Sequence, residues 1–213
     1  MKIAAINASP KTGASNSGII LDKLNGYIGK RCEIVNYSLS SKGFSEAVYS
    51  DIVASDAVVL AFPLYVDALP SNLLKMLIEL EGYISRNNAN DIVVYAIINN
   101  GFYEGEQTRI AFEIIQNWCD RARLKFGGGI GQGAGETIGV MKNSSISKTL
   151  FGALERELNR LAEKIESTAA YEIKYLTPFL PRFLWSLAAK YAFWRPLAAK
   201  NKLSMKDIEK RIA

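Results

Sequence analysis

Five apolar strand patterns alternate with five stretches whose apolar residues recur at helical spacing. This alternation limits the fold more than any other feature of the chain. The runs are KIAAIN from Lys2, CEIVN from Cys32, AVVLAF from Ala57, IVVYAII from Ile92 and the weaker LKFGGGIG from Leu124. Strands apolar on both faces belong inside a sheet covered on both sides. Between them, Ile20, Leu24, Tyr27 and Ile28 predict a helix that Gly29 can stop. Phe44, Val48 and Ile52 predict a short one, and Pro70 opens another whose face is Leu73, Leu77, Leu80 and Ile84. Ile110, Ile114 and Trp118 mark the next, and Leu150, Leu154, Leu158, Leu161 and Ile165 the last. Such a pattern builds right-handed βαβ units, a doubly wound α/β fold with a five-stranded parallel sheet. Of the two common strand orders, 2-1-3-4-5 suits this size. Ligands in such a fold sit beyond the carboxyl ends of strands 1, 3 and 4, so the loops there should differ from plain connections.

Composition narrows the chemistry. The chain has 213 residues, 49% of them apolar, enough for one core with an appendage. It contains no histidine, which removes Ser-His-Asp and Cys-His catalysis and most zinc sites. An enzyme of this composition rests on a cofactor. Cys32 and Cys119 match no metal-ligand spacing and read as buried, reduced thiols. The start of the chain turns polar by Asn7 and no run reaches about 20 uncharged apolar residues, so the expectation is a cytoplasmic protein with no spanning helix.

The three loops are unusual in turn. NASPKTGASNS, Asn7 to Ser17, follows strand 1 and leads into a helix near Asn16. Ser9, Thr12, Ser15 and Ser17 bring hydroxyls, Asn16 an amide and Lys11 a charge, beside the positive end of a helix. The alternative for this loop is a capping residue and a solvated turn. FPLYVDALP, Phe62 to Pro70, holds two prolines and a tyrosine and suits a flat ring; otherwise Tyr65 packs on the core. NNGFYEGEQ, Asn99 to Gln107, offers amides, free backbone and two aromatics, or else a simple Asn-Gly turn.

Taken together, NASPKTGASNS, PLYVDALP and NNGFYEGE resemble the three FMN-contacting segments of the NADPH-dependent FMN reductase-like flavoproteins, of the flavodoxin-like superfamily, over about residues 1 to 168. The resemblance implies a flavodoxin-like domain over 1–168 and a mainly helical C-terminal extension over 169–213. It implies that Ser9, Lys11, Ser15, Asn16 and Ser17 hold the FMN phosphate. Pro63, Leu64, Tyr65 and Val66 would border the ring and ribityl chain, and Asn99, Asn100, Gly101 and Phe102 the ring's polar edge. Where the family often has arginine this chain has Lys11, a point charge without a bidentate fork. Asp67 and Glu104 lie near enough to face a substrate, without a catalytic role. The implied activity is FMN-dependent electron transfer from NAD(P)H to a quinone, flavin or other small acceptor, in a homodimer. The rival is a flavodoxin-type electron carrier, less suited to a domain that is not strongly acidic.

Two features stand outside this pattern. GIGQGA, Gly129 to Ala134, fits GxGxxA but follows the weak fifth strand rather than the first, so its glycines are read as permitting close backbone approach. The stretch from Glu172 onward carries +6 of the total +5, leaving −1 for residues 1–171. Its aromatics, among them Phe183, Phe193 and Trp194, are read as packing on a second subunit or on the domain itself. A basic amphipathic segment on an anionic membrane is the alternative, and nucleic acid is set aside for want of a motif.

Overall fold

A computed structural model describes residues 1–87, 91–141, 149–208 and 210 of the chain. Contacts divide it into two units, Met1–Pro178 and Phe179–Ala213. In the first, the strands are β1 (Lys2–Asn7), β2 (Glu33–Ser38), β3 (Ala57–Pro63), β4 (Val93–Asn99), β5 (Lys125–Gln132) and β6 (Lys174–Leu176). They form one parallel sheet of order β2-β1-β3-β4-β5-β6. The expected 2-1-3-4-5 order is present, but the sheet has six strands rather than five. The sixth, three residues long, pairs with β5 through Ile130 and Lys174. Residues 174–176, placed in the extension by the sequence pattern, therefore close the sheet edge.

The helices of this unit are α1 (Asn16–Tyr27), α2 (Glu46–Val53), α3 (Ser71–Asn87), α4 (Arg109–Ala122), α5 (Thr137–Met141) and α6 (Gly152–Glu166). Successive strand residues point to opposite faces. Ala4, Ile6, Val58, Leu60, Phe62, Val94, Ala96 and Ile98 share one core cluster with side chains of α2, α3 and α4. On the other face α1 packs against α6. The α3 and α6 stripes read from the sequence are all buried. The α4 stripe is rotated: Ala111, Phe112, Ile115, Trp118, Cys119 and Ala122 are buried, while Ile110 is 42% exposed. Tyr27 also turns outward, its hydroxyl donating to Glu155 on α6. Cys119 is buried as expected, and Cys32 is half-buried.

The glycines of β5 are explained by close packing. The β4–β5 register shifts between Val94 and Tyr95, leaving Gly127 beside the Tyr95 ring. Gly128 has φ +100°, and a Cβ there would lie 1.7 Å from the Tyr171 carbonyl oxygen. Both positions need the missing side chain. GIGQGA is thus the end of the fifth strand and the start of the turn that leads to α5, not a turn after the first strand.

The second unit holds α7 (Arg182–Ala188), a π-helical turn (Ala189–Trp194), α8 (Arg195–Lys200) and α9 (Met205–Ile208). Dihedrals stay helical through both junctions, so 182–200 is one continuous helix with a π segment inside it.

Candidate functional site

The site grows from the carboxyl edge of β1, β3 and β4, which are neighbours in the sheet. Loop one leaves β1 held by the Ala8 N–H donating to the Ala61 carbonyl at 2.8 Å. The Ser9 N–H donates to Asn7 Oδ1 at 3.2 Å, and the Lys11 N–H to Ser9 Oγ at 3.4 Å. Ser15 caps α1 by accepting from the Gly18 N–H at 3.1 Å. These bonds bend the loop so that the N–H groups of Thr12, Gly13, Ala14, Ser15, Asn16 and Ser17 find no acceptor among the described residues. The positive end of the α1 dipole lies at the same place. Lys11, Thr12, Gly13 and Ala14 are exposed, whereas Ser9 and Ser15 are buried.

Three of the expected phosphate ligands have side chains engaged elsewhere. The Ser15 hydroxyl donates to Asn7 Oδ1 at 3.3 Å and accepts from the Asn7 side-chain amide at 3.1 Å as well as from Gly18. The Ser17 hydroxyl donates to Asn99 Oδ1 at 2.6 Å, both residues being buried. The Asn16 amide donates to the Glu136 carbonyl at 3.3 Å and accepts from the Gly139 N–H at 2.9 Å. Ser17 keeps a backbone N–H at the loop, and Asn16 ties the loop to Glu136 and to Gly139 in α5.

Loop two starts at Pro63, paired in register with Asn99, and the Leu64 N–H donates to the Asn99 carbonyl at 2.8 Å. Tyr65 and Ala68 then exchange backbone bonds of 3.0 Å around a two-residue turn. Both turn residues are left-handed, Val66 at φ +47° and Asp67 at φ +59°. A β-branched residue there is strained, and Val66 is 97% exposed. Tyr65 does not pack on the core; it is 49% exposed.

Loop three is fixed by Asn100. Its N–H donates to the Gln132 carbonyl at 3.0 Å, its carbonyl accepts from Gly135 at 2.7 Å, and its side-chain amide donates to the Glu104 carbonyl at 3.1 Å. Asn100 Oδ1 is buried without a donor among the described residues. Gly101 is exposed and Phe102 is 51% exposed.

The loop after β5 joins this edge, a participation the sequence reading gave only to its glycines. The Ala134 N–H donates to the Phe102 carbonyl at 2.5 Å, and the Gly133 N–H to that of Leu176 at 2.8 Å. The Glu136 side chain lies against Gly101: a Cβ on that glycine would stand 2.9 Å from Glu136 Oε1. The signal available in sequence was a glycine-rich run at the same carboxyl edge.

Displaced titrations belong to the framework. Burial pushes the Cys119 thiol up to about 12, with Asp120 adding to it. Burial likewise pushes Tyr95 up to about 12, while its hydroxyl donates to the Lys164 and Ala169 carbonyls. Burial and a hydrogen bond to Glu157 raise Tyr171. No metal-ligating cluster of acidic and cysteine side chains occurs among the described residues.

The donor set of loop one fits a phosphate monoester. Unsatisfied N–H groups at a helix start, hydroxyls and a single lysine accept a dianion without a dense positive patch. A flat ring beyond it would meet Tyr65, the 65–68 turn and Phe102.

No family model matches the sequence, and no curated protein matches it. Solved structures do resemble it in fold. A short-chain flavodoxin associated with a bacterial microcompartment superposes with TM-score 0.55 at 14% identity, covering 80% of this chain and 100% of that one. An NADPH-quinone reductase from P. pentosaceus gives TM-score 0.57 at 13% identity, over 76% of this chain and 98% of that one. An azoreductase from Bacillus anthracis gives TM-score 0.53 at 13% identity, over 76% and 99%. The fold is flavodoxin-like.

Proposed function

We propose that the chain is an FMN-dependent oxidoreductase that takes electrons from NAD(P)H and passes them to a quinone, flavin or other small acceptor. The observation that carries this reading is the row of unsatisfied N–H groups from Thr12 to Ser17, at the edge where the exposed Tyr65 turn and Phe102 also stand. Bound FMN would supply reversible two-electron acceptance and delivery, which needs no protein acid or base and suits a chain without histidine. The backbone of loop one, including the Ser15 N–H, with the Ser9 hydroxyl and Lys11, would hold the phosphate, the Ser15 hydroxyl serving to fix the loop to Asn7. Asn16 would act by fixing loop one to the 136–139 segment, and Ser17 by its N–H. Pro63, Leu64, Tyr65 and Val66 would border the ring on one side. Asn100, Gly101 and Phe102 would present backbone and an aromatic edge on the other, with Asn99 as their buried support. The names of the quinone reductase and azoreductase neighbours support the same class. A homodimer in the cytoplasm completes the reading.

The test is to purify the protein with FMN, desalt it, and record its spectrum before and after anaerobic NADPH or NADH. A retained flavin spectrum that bleaches is expected. A retained flavin that does not bleach would move the assignment to an electron carrier. No retained flavin and no turnover of added FMN would overturn both.

A further inference from the structure

Taken by itself, the second unit has an unusual surface. In α7 and the π turn no residue is buried, and in α8 only Ala198 is. Phe179 is 81% exposed, Phe183 66%, Tyr191 56% and Trp194 46%. Leu184, Leu187, Phe193, Leu197, Leu203 and Ile208 are exposed as well. A single helix and one short turn of α9 cannot bury this many bulky side chains against each other. Helices apolar over most of their circumference sit in a core or in lipid.

The charge pattern selects the partner. From Phe179 to Lys206 the chain has Arg182, Lys190, Arg195, Lys200, Lys202 and Lys206, and neither Asp nor Glu. The first acid, Asp207, accepts from the N–H and hydroxyl of Ser204 at the start of α9. Its carboxyl is held below its usual range by those bonds. Cations interleaved with Phe, Tyr, Trp and Leu match the boundary between anionic headgroups and acyl chains, where amphipathic aromatics settle. No described helix is long and apolar enough to cross a membrane. A second copy of this helix would bring cations against cations.

We propose that the segment Phe179–Ile208 docks in the plane of an anionic lipid bilayer surface, its aromatics in the headgroup boundary and its lysines and arginines on the phosphates. This inference does not depend on the flavin site.

The test is co-sedimentation of the full chain with vesicles of phosphatidylcholine alone and of phosphatidylcholine with 30% phosphatidylserine, at low and high salt. The expected result is binding to the anionic vesicles at low salt, release at high salt, and a blue shift of tryptophan emission on binding. The triple substitution Arg195→Gln, Lys200→Gln and Lys206→Gln should weaken partitioning on the order of 10²-fold. Trp194→Ser should weaken it while far-UV circular dichroism of the rest of the chain is unchanged. Equal binding to both vesicle types at all salts would overturn the proposal. So would an unbound monomer, or an unbound dimer that Trp194→Ser dissociates, which would make a second copy the occupant.

Discussion

Replacing Ser17 with alanine should destabilise the chain in the absence of any ligand. The Ser17 hydroxyl donates at 2.6 Å to Asn99 Oδ1. Ser17 is 2% exposed and Asn99 4%, so water does not replace the lost donor without rearrangement. No other donor to Asn99 Oδ1 occurs among the described residues. An orphaned buried acceptor costs about 1–3 kcal/mol, more than the net worth of a typical hydrogen bond. With a urea slope of about 2 kcal/mol per molar, the unfolding midpoint should fall by roughly 0.5–1.5 M. Asn99→Ala removes the acceptor from the other side. The double variant should be less destabilised than the two single effects added, by about 1 kcal/mol or more, because neither group is then left unpaired. The assay is urea unfolding of the four proteins without added cofactor, followed by circular dichroism. Additive losses, or a Ser17→Ala midpoint equal to that of the parent, would refute the claim that this hydroxyl serves the fold. Its place would then be at the ligand.

Three further outcomes follow from the same structure. Val66→Gly should relieve left-handed strain at φ +47°, worth about 1 kcal/mol, and raise the melting temperature by roughly 2–4 °C; an unchanged or lower value would show that the turn is not strained. Gly128→Ala should cost about 3 kcal/mol or more, since its Cβ would meet the Tyr171 carbonyl at 1.7 Å in a left-handed conformation; near-normal thermal unfolding would contradict the packing of β6's approach on β5. Glu155 bridges α6 to Lys23 and Tyr27 on α1. Burial raises its carboxyl, but the bonds from Lys23 and Tyr27 outweigh this and hold it below its usual 4.5. A depressed folded value means that the stabilisation is present above about pH 4.5 and is lost as pH falls through the folded value. At about one-third exposure the pair is worth roughly 0.5 kcal/mol. Lys23→Ala should therefore show that deficit at pH 7 and lose it near pH 3, measured by urea unfolding at both pH values.

Local periodicity made much of this protein legible. The apolar strands β1, β3 and β4, the Leu73–Ile84 and Leu150–Ile165 stripes and the loops at Asn7, Phe62 and Asn99 are all short-range patterns, and the structure places them as read, whereas β2 lies at the sheet edge with none of its residues buried. The absence of histidine likewise confined the chemistry before any coordinate was known. What the sequence left open depends on partners distant along the chain. KYL, three residues long, carries no period to detect, and it becomes a strand because β5 presents an open edge beside it. On α4, Ile110 and Phe112 are equally apolar, and only packing against the sheet decides which faces inward. The inward turn of Ser17 needs Asn99, 82 residues away. The left-handed pair at Val66 and Asp67 is set by the Tyr65–Ala68 closure, against local preference. The strand and helix pattern was written in neighbouring residues, whereas the sheet edge, the rotation of α4 and the hydrogen-bond assignments of the site arise only when the strands assemble, because each is a choice between partners that the chain brings together in space.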